Sequence, residues 1–166
     1  MRPIIICYSR TGRNKKLAQQ LQQILRCDME ELIDRTDRSG WWNYLLAGRD
    51  SMFKKMTTIE PEIKNLESFD IIIISTPLWV GTIPPAIRTF LRRDKQKIKR
   101  LAVISVSMNG SQQRAIHDIE NEYGNKPVAA LFLSEKELKS GRHKTRFDDF
   151  VETLQALQKV KGDLQR

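Results

Sequence analysis

Short β-like runs alternate with stretches of helical period along this chain, and that alternation restricts the fold more than any other feature. The strongest run is Phe69 to Thr76, β-branched almost throughout, which reads as a central strand covered on both faces. Pro77 ends it, because proline brings no N–H to a strand ladder. Pro3 to Tyr8, Leu101 to Val106 and Val128 to Leu133 are read as strands in the same way. Cys27 to Ile33 has mixed polarity, which suits a strand nearer the sheet edge.

Between the strands the period changes. From Asn14 the apolar positions Leu17, Ala18, Leu21, Ile24 and Leu25 recur at helical spacing, with lysines and glutamines between them. Trp41 to Met56 is expected to be helical, with Trp41 and Trp42 as packing residues. Pro84-Pro85 suits a helix start, where a missing N–H costs nothing, and that helix should run to about Arg93 on Ile87, Phe90 and Leu91. Ser111 to Tyr123 and Arg146 to about Val160 complete the set. Repeated β-α units of this size imply right-handed crossovers and a parallel sheet with helices on both faces. The expected fold is a doubly wound α/β three-layer sandwich around a five-stranded parallel sheet. At 166 residues the chain is expected to form a single domain over positions 1–166.

An apolar fraction of 40% with 30% charged residues describes a soluble globular protein. No run approaches the roughly 20 apolar residues that cross a bilayer, and Met1-Arg2-Pro3 leads straight into a strand, so the expected location is cytoplasmic. Cys7 and Cys27 form no Cys-x-x-Cys pair and join no histidine cluster, so both are read as reduced packing residues and no metal site is expected. Against 20 Asp and Glu stand 29 Lys and Arg, a formal charge of +9, so the long-range field attracts anions.

In an open α/β sheet, ligands bind beyond the carboxyl ends of the strands where strand order reverses. Three loops fall there. Ser9-Arg10-Thr11-Gly12-Arg13-Asn14 lies between a strand and a helix, so backbone N–H groups and the helix N-terminus face a bound anion, and the hydroxyl and amide side chains add hydrogen bonds. Gly12 permits a tight turn without the Gly-x-Gly-x-x-Gly spacing of a dinucleotide site, which favours a single phosphate. Thr76-Pro77-Leu78-Trp79-Val80-Gly81 places an aromatic ring just past the most buried strand, where it could stack on a planar ligand or lid the core edge. Ser107-Met108-Asn109-Gly110 offers backbone groups to the polar edge of a flat heterocycle.

Tyr8-Ser9-Arg10-Thr11-Gly12 followed by a helix resembles the phosphate loop of the flavodoxin family. Thr76-Pro77-Leu78-Trp79 with Gly81 and Pro84-Pro85 is similar to that family's flavin-flanking loop. The resemblance spans Arg2 to about Leu157 and implies the flavodoxin-like strand order 2-1-3-4-5 with FMN as cofactor. It implies that Ser9 to Asn14 hold the FMN phosphate, that Pro77 to Gly81 line one ring face, and that Ser107 to Gly110 meet the pyrimidine edge. The Gly81 peptide would then exchange a hydrogen bond with flavin N5. The chain departs from the family in three ways: Asn14 stands where threonine is usual, the third loop has no aromatic, and the charge is basic where carriers of the family are acidic.

The resemblance implies electron transfer through the flavin, either as a carrier serving a redox partner protein or as a small oxidoreductase using NAD(P)H and a quinone-type acceptor. No side chain is assigned a catalytic role: His117 and His143 read as solvated or capping residues. The charge makes an acidic partner surface plausible. A different class of function is a basic binding module, in which Arg92 to Arg100 and Arg142 to Arg146 contact nucleic acid or an acidic protein without redox turnover. No aromatic interleaves either run, so nucleic acid has little support.

Overall fold

Successive residues of a strand point to opposite faces of its sheet, so an unbroken apolar run needs cover on both sides. The computed structural model provides that cover; it describes residues 1–35, 56–108 and 112–163, with side chains as far as Leu157. Strands β1 (Pro3–Cys7), β2 (Asp28–Glu31), β5 (Ile71–Ser75), β6 (Leu101–Ser107) and β7 (Ala129–Ser134) form one parallel sheet in the order β2-β1-β5-β6-β7. Counted as the five main strands, this is the expected 2-1-3-4-5. A separate two-stranded antiparallel ribbon joins β3 (Ile33–Asp34) to β4 (Ile59–Glu60).

One face of the sheet carries Ile5, Cys7, Ile71, Ile73, Ala102 and Ile104. They pack against Leu17, Leu21 and Leu25 of α1 (Arg13–Leu25) and Phe147, Phe150, Val151 and Leu154 of α5 (Lys144–Asp163). The other face carries Ile4, Ile6, Ile72, Ile74, Leu101 and Val103. Ile87, Phe90 and Leu91 of α2 (Pro85–Asp94) and Ala115, Ile119 and Tyr123 of α3 (Gln113–Tyr123) cover it. Burying each such isoleucine contributes about 1.5–3 kcal/mol. The edge strand β2 holds Asp28, Glu30 and Glu31, charges that discourage pairing with a second sheet.

Several boundaries differ from expectation. Only Asp28–Glu31 of the second strand joins the main sheet, while Ile33–Asp34 turns away to pair with Ile59–Glu60. The helix expected over Trp41 to Met56 falls on residues outside the described ones, apart from Met56, which is not helical. Ile24, placed on the apolar stripe of α1, is 45% exposed, because Leu17, Ala18, Leu21 and Leu25 suffice to cover the sheet there. A short helix α4 (Glu135–Ser140) was not expected. Its start is a reciprocal cap: the Glu137 N–H donates to Ser134 Oγ at 3.2 Å, and the Ser134 N–H donates to Glu137 Oε2 at 2.7 Å.

Candidate functional site

The three predicted loops leave the sheet at the carboxyl ends of β1, β5 and β6, side by side because those strands are neighbours. The first is anchored by the Tyr8 N–H, which donates to the Ser75 carbonyl at 2.8 Å. Gly12 then opens α1 at φ 79°, a conformation few side chains tolerate, and no side chain caps the helix. The first turn of α1 contains no acid, yet Arg13, Lys15 and Lys16 crowd the positive end of its dipole. That arrangement is unfavourable alone and becomes favourable around an anion.

Ser9 strengthens this reading, since its Oγ is buried and lacks a hydrogen-bond partner. A buried hydroxyl left so loses about 1–3 kcal/mol that an acceptor such as a phosphate oxygen would restore. Thr11 Oγ1 accepts from Arg13 Nη1 at 3.3 Å, and the same nitrogen lies 2.9 Å from Glu135 Oε1. Arg10 is exposed at the loop tip. These groups suit a phosphate monoester.

Asn14 differs from its expected role as a phosphate ligand. Its side chain is 3% exposed and points into the molecule, where Nδ2 donates to the Val106 carbonyl at 3.1 Å and Oδ1 accepts from the Val106 N–H at 2.8 Å. Ser75 Oγ donates to the Asn14 carbonyl at 3.0 Å. A primary amide offers one donor and one acceptor side by side, which lets it satisfy both backbone groups of one residue at once. Asn14 therefore ties the first loop to β5 and β6.

In the second loop Thr76 is buried, its N–H donating to the Ile104 carbonyl at 3.1 Å, and Leu78 is nearly covered. Trp79 and Thr82 exchange backbone hydrogen bonds at 2.9 and 3.0 Å around Val80 at φ 53° and Gly81 at φ 74°. Two successive positive φ values describe a type I′ turn. Glycine suits such a position and valine does not, so Val80 is strained while 59% exposed. The half-buried Trp79 ring meets Tyr8 edge-on, centroids 5.8 Å apart and planes at 63°, so it packs the first loop against the second and keeps part of its surface open.

Of the third loop, Ser107 ends β6 and Met108 is 69% exposed, while Asn109 and Gly110 lie outside the described residues. Met108 forms one wall of a cleft of about 600 Å³ completed by Glu135, Lys136, Lys139 and Ser140. Sequence reasoning missed Glu135 as a neighbour of the site. The signal that could have placed it is Ser134-x-x-Glu137, the spacing of a helix start directly after a strand.

A buried ion cluster braces the second loop from behind. Arg88, fully buried, reaches Glu122 at 2.6 Å and Asp118 at 3.5 Å on α3, and donates to the Ile83 carbonyl at 3.4 Å. Burial works to raise the Glu122 carboxyl, but hydrogen bonds from Arg92 and Arg88 and their charges outweigh it and hold the group below its usual range.

Burial, helped by the Glu31 charge, pushes the Cys7 thiol up to about 12, and burial with Asp28 pushes Cys27 to about 11, so both are inert packing residues. His117 is exposed beside Asn121, and no group of three His, Cys, Asp or Glu among the described residues could hold a metal. Part of each basic run is engaged locally: Arg92 with Glu122, Arg93 and Lys97 with Asp94 at 2.7 and 3.2 Å, and Arg146 with Glu137 at 2.7 Å. No helix among the described residues is long and apolar enough to cross a membrane.

Solved structures share this architecture. A flavoprotein in complex with FMN from Lactobacillus acidophilus superposes with a TM-score of 0.69 at 18% identity, covering 84% of this chain and 97% of that one. The apo form of the flavoprotein from the same organism gives 0.63 at 19% identity, with 83% and 95% covered. A Fusobacterium nucleatum flavodoxin bound to flavin mononucleotide gives 0.58 at 13% identity, with 94% and 98% covered. No curated protein sequence matches the chain. At these identities the superpositions establish the fold, and the lineage comes from the family model for flavodoxin, which matches residues 2–154. The chain belongs to the flavodoxin family.

Proposed function

We infer that this protein binds FMN at the three loops and transfers electrons through it. The observation that carries the reading is the amino end of α1: uncapped, free of acids in its first turn, and entered from a buried Ser9 hydroxyl without a partner. Ser9, Thr11, the backbone at Gly12, and the Arg10 and Arg13 guanidiniums would hold the phosphate. Thr76, Pro77 and Leu78 shape the second loop, and Trp79, Val80 and Gly81 would cover one ring face. Ser107 and Met108, with Asn109 and Gly110, would border the pyrimidine edge. When bound, the flavin takes up and returns one or two electrons.

The chain's own contribution is binding, orientation and field. A net charge of +9 favours the negative charge that accumulates on reduction, opposite to the effect of an acidic carrier. The same field suits an acidic redox partner or an anionic small donor such as NAD(P)H, from which a reductase would pass electrons to an uncharged quinone-type acceptor. Carrier and reductase separate in a steady-state assay: turnover of NAD(P)H with a quinone by the purified chain marks a reductase, and reduction only through a partner marks a carrier. Binding itself is tested by the visible absorption spectrum of protein desalted after incubation with FMN. Retained flavin bands are expected, and a colourless preparation would overturn the reading.

A further inference from the structure

The Arg13 guanidinium is expected to meet the flavin phosphate, yet it is already engaged with Glu135 at 2.9 Å. Glu135 is held firmly in place. It opens α4, whose start is fixed by the reciprocal Ser134 and Glu137 cap, and Glu137 is tied in turn to Arg146 at 2.7 Å. Arg146 also donates to the Phe132 carbonyl at 3.0 Å. The link therefore joins a carboxylate on a capped helix start to an arginine that also donates to Thr11 Oγ1, at 3.3 Å. The Arg13 side chain is 44% exposed and Glu135 24%, so the pair stands at the mouth of the loop and not in the core.

We propose that Glu135 is a built-in competitor for the flavin phosphate, an affinity-setting residue that acts through Arg13. Resting on the FMN reading, this adds a residue outside the three loops and a direction for its effect. Two charges of the same sign converge on one guanidinium when the phosphate enters. Either Arg13 leaves Glu135, losing an exposed ion pair, or it bridges both anions, with the carboxylate repelling the phosphate. Both routes lower affinity, and both vanish when the carboxylate becomes an amide. An ion pair this exposed is a modest interaction, so Glu135→Gln should tighten FMN by about two- to fivefold. Riboflavin lacks the phosphate and should bind the variant and the parent alike.

The experiment is a fluorescence-quenching titration of the full chain with FMN and with riboflavin, on the parent, Glu135→Gln, and Glu152→Gln. The last makes the same charge change at an exposed position of α5 and tests the general field. Tighter FMN binding by Glu135→Gln alone, with riboflavin unmoved, supports the proposal. Weaker FMN binding, an equal change for both flavins, or an equal gain in Glu152→Gln overturns it. A parent chain that binds neither flavin overturns the underlying FMN reading instead, so the two failures are distinguishable.

Discussion

Replacing Asn14 by alanine separates a brace from a ligand. In the structure the Asn14 amide satisfies both the N–H and the carbonyl of Val106, itself 3% exposed, at 2.8 and 3.1 Å. Alanine leaves those two buried backbone groups unpaired, at about 1–3 kcal/mol each, and water reaching the loop from the open end recovers part. A net loss of about 2–4 kcal/mol is expected in the flavin-free protein. With a urea m-value of about 2 kcal/mol/M for a chain of this size, the unfolding midpoint should fall by about 1–2 M at unchanged slope. Asn14→Asp should lose a comparable amount, since it turns a carboxylate oxygen toward the Val106 carbonyl. A surface phosphate ligand behaves otherwise: its removal weakens FMN binding and leaves the free protein within about 0.5 kcal/mol. Urea unfolding followed by tryptophan fluorescence decides the matter, and a midpoint unmoved by Asn14→Ala would refute the brace.

Three further outcomes are expected. The Ser134 N–H and hydroxyl, with Arg146, overcome burial to hold the Glu137 carboxyl down to about 2 from its ordinary 4.5. Its stabilising contribution is therefore complete above the unfolded value and is lost as pH falls from 4.5 through about 2. Urea midpoints should drop more steeply between about pH 5 and pH 3 in the parent than in Glu137→Gln, and parallel pH profiles would contradict this. Val80→Asn relieves a β-branched residue at φ 53° and should raise the melting temperature by about 2–4 °C, for about 1 kcal/mol; a fall would show that the turn is not strained. If the basic field favours the reduced flavin, the midpoint potential of the FMN-loaded protein should fall as salt is added, and a potential indifferent to ionic strength would remove charge as its cause.

The fold was legible where side chains had one job. Ile71 to Ile74 and Leu101 to Ile104 are apolar on both faces because both faces are covered, which suits a central parallel strand. The β3 and β4 ribbon was not legible, because two residues on each side carry too little pattern to register. The side-chain pairing of Asn14 was not legible for a physical reason: an asparagine two residues after Gly12 also looks like a cap or phosphate ligand, and its Val106 partner lies 92 positions away. The edge-on contact of Trp79 with Tyr8 was not legible either, because it depends on the two loops being neighbours in space. The Glu135 link to Arg13 likewise follows from strand order and not from local spacing.

If FMN is held as proposed, its phosphate is gripped at the amino end of α1. Calorimetric titration of one preparation with FMN and then with riboflavin measures that grip directly, since the ligands differ only by the phosphoryl group. FMN is expected to bind at least about tenfold more tightly, a difference of about 1.4 kcal/mol from the uncapped N–H groups and Ser9. Equal affinities would contradict it.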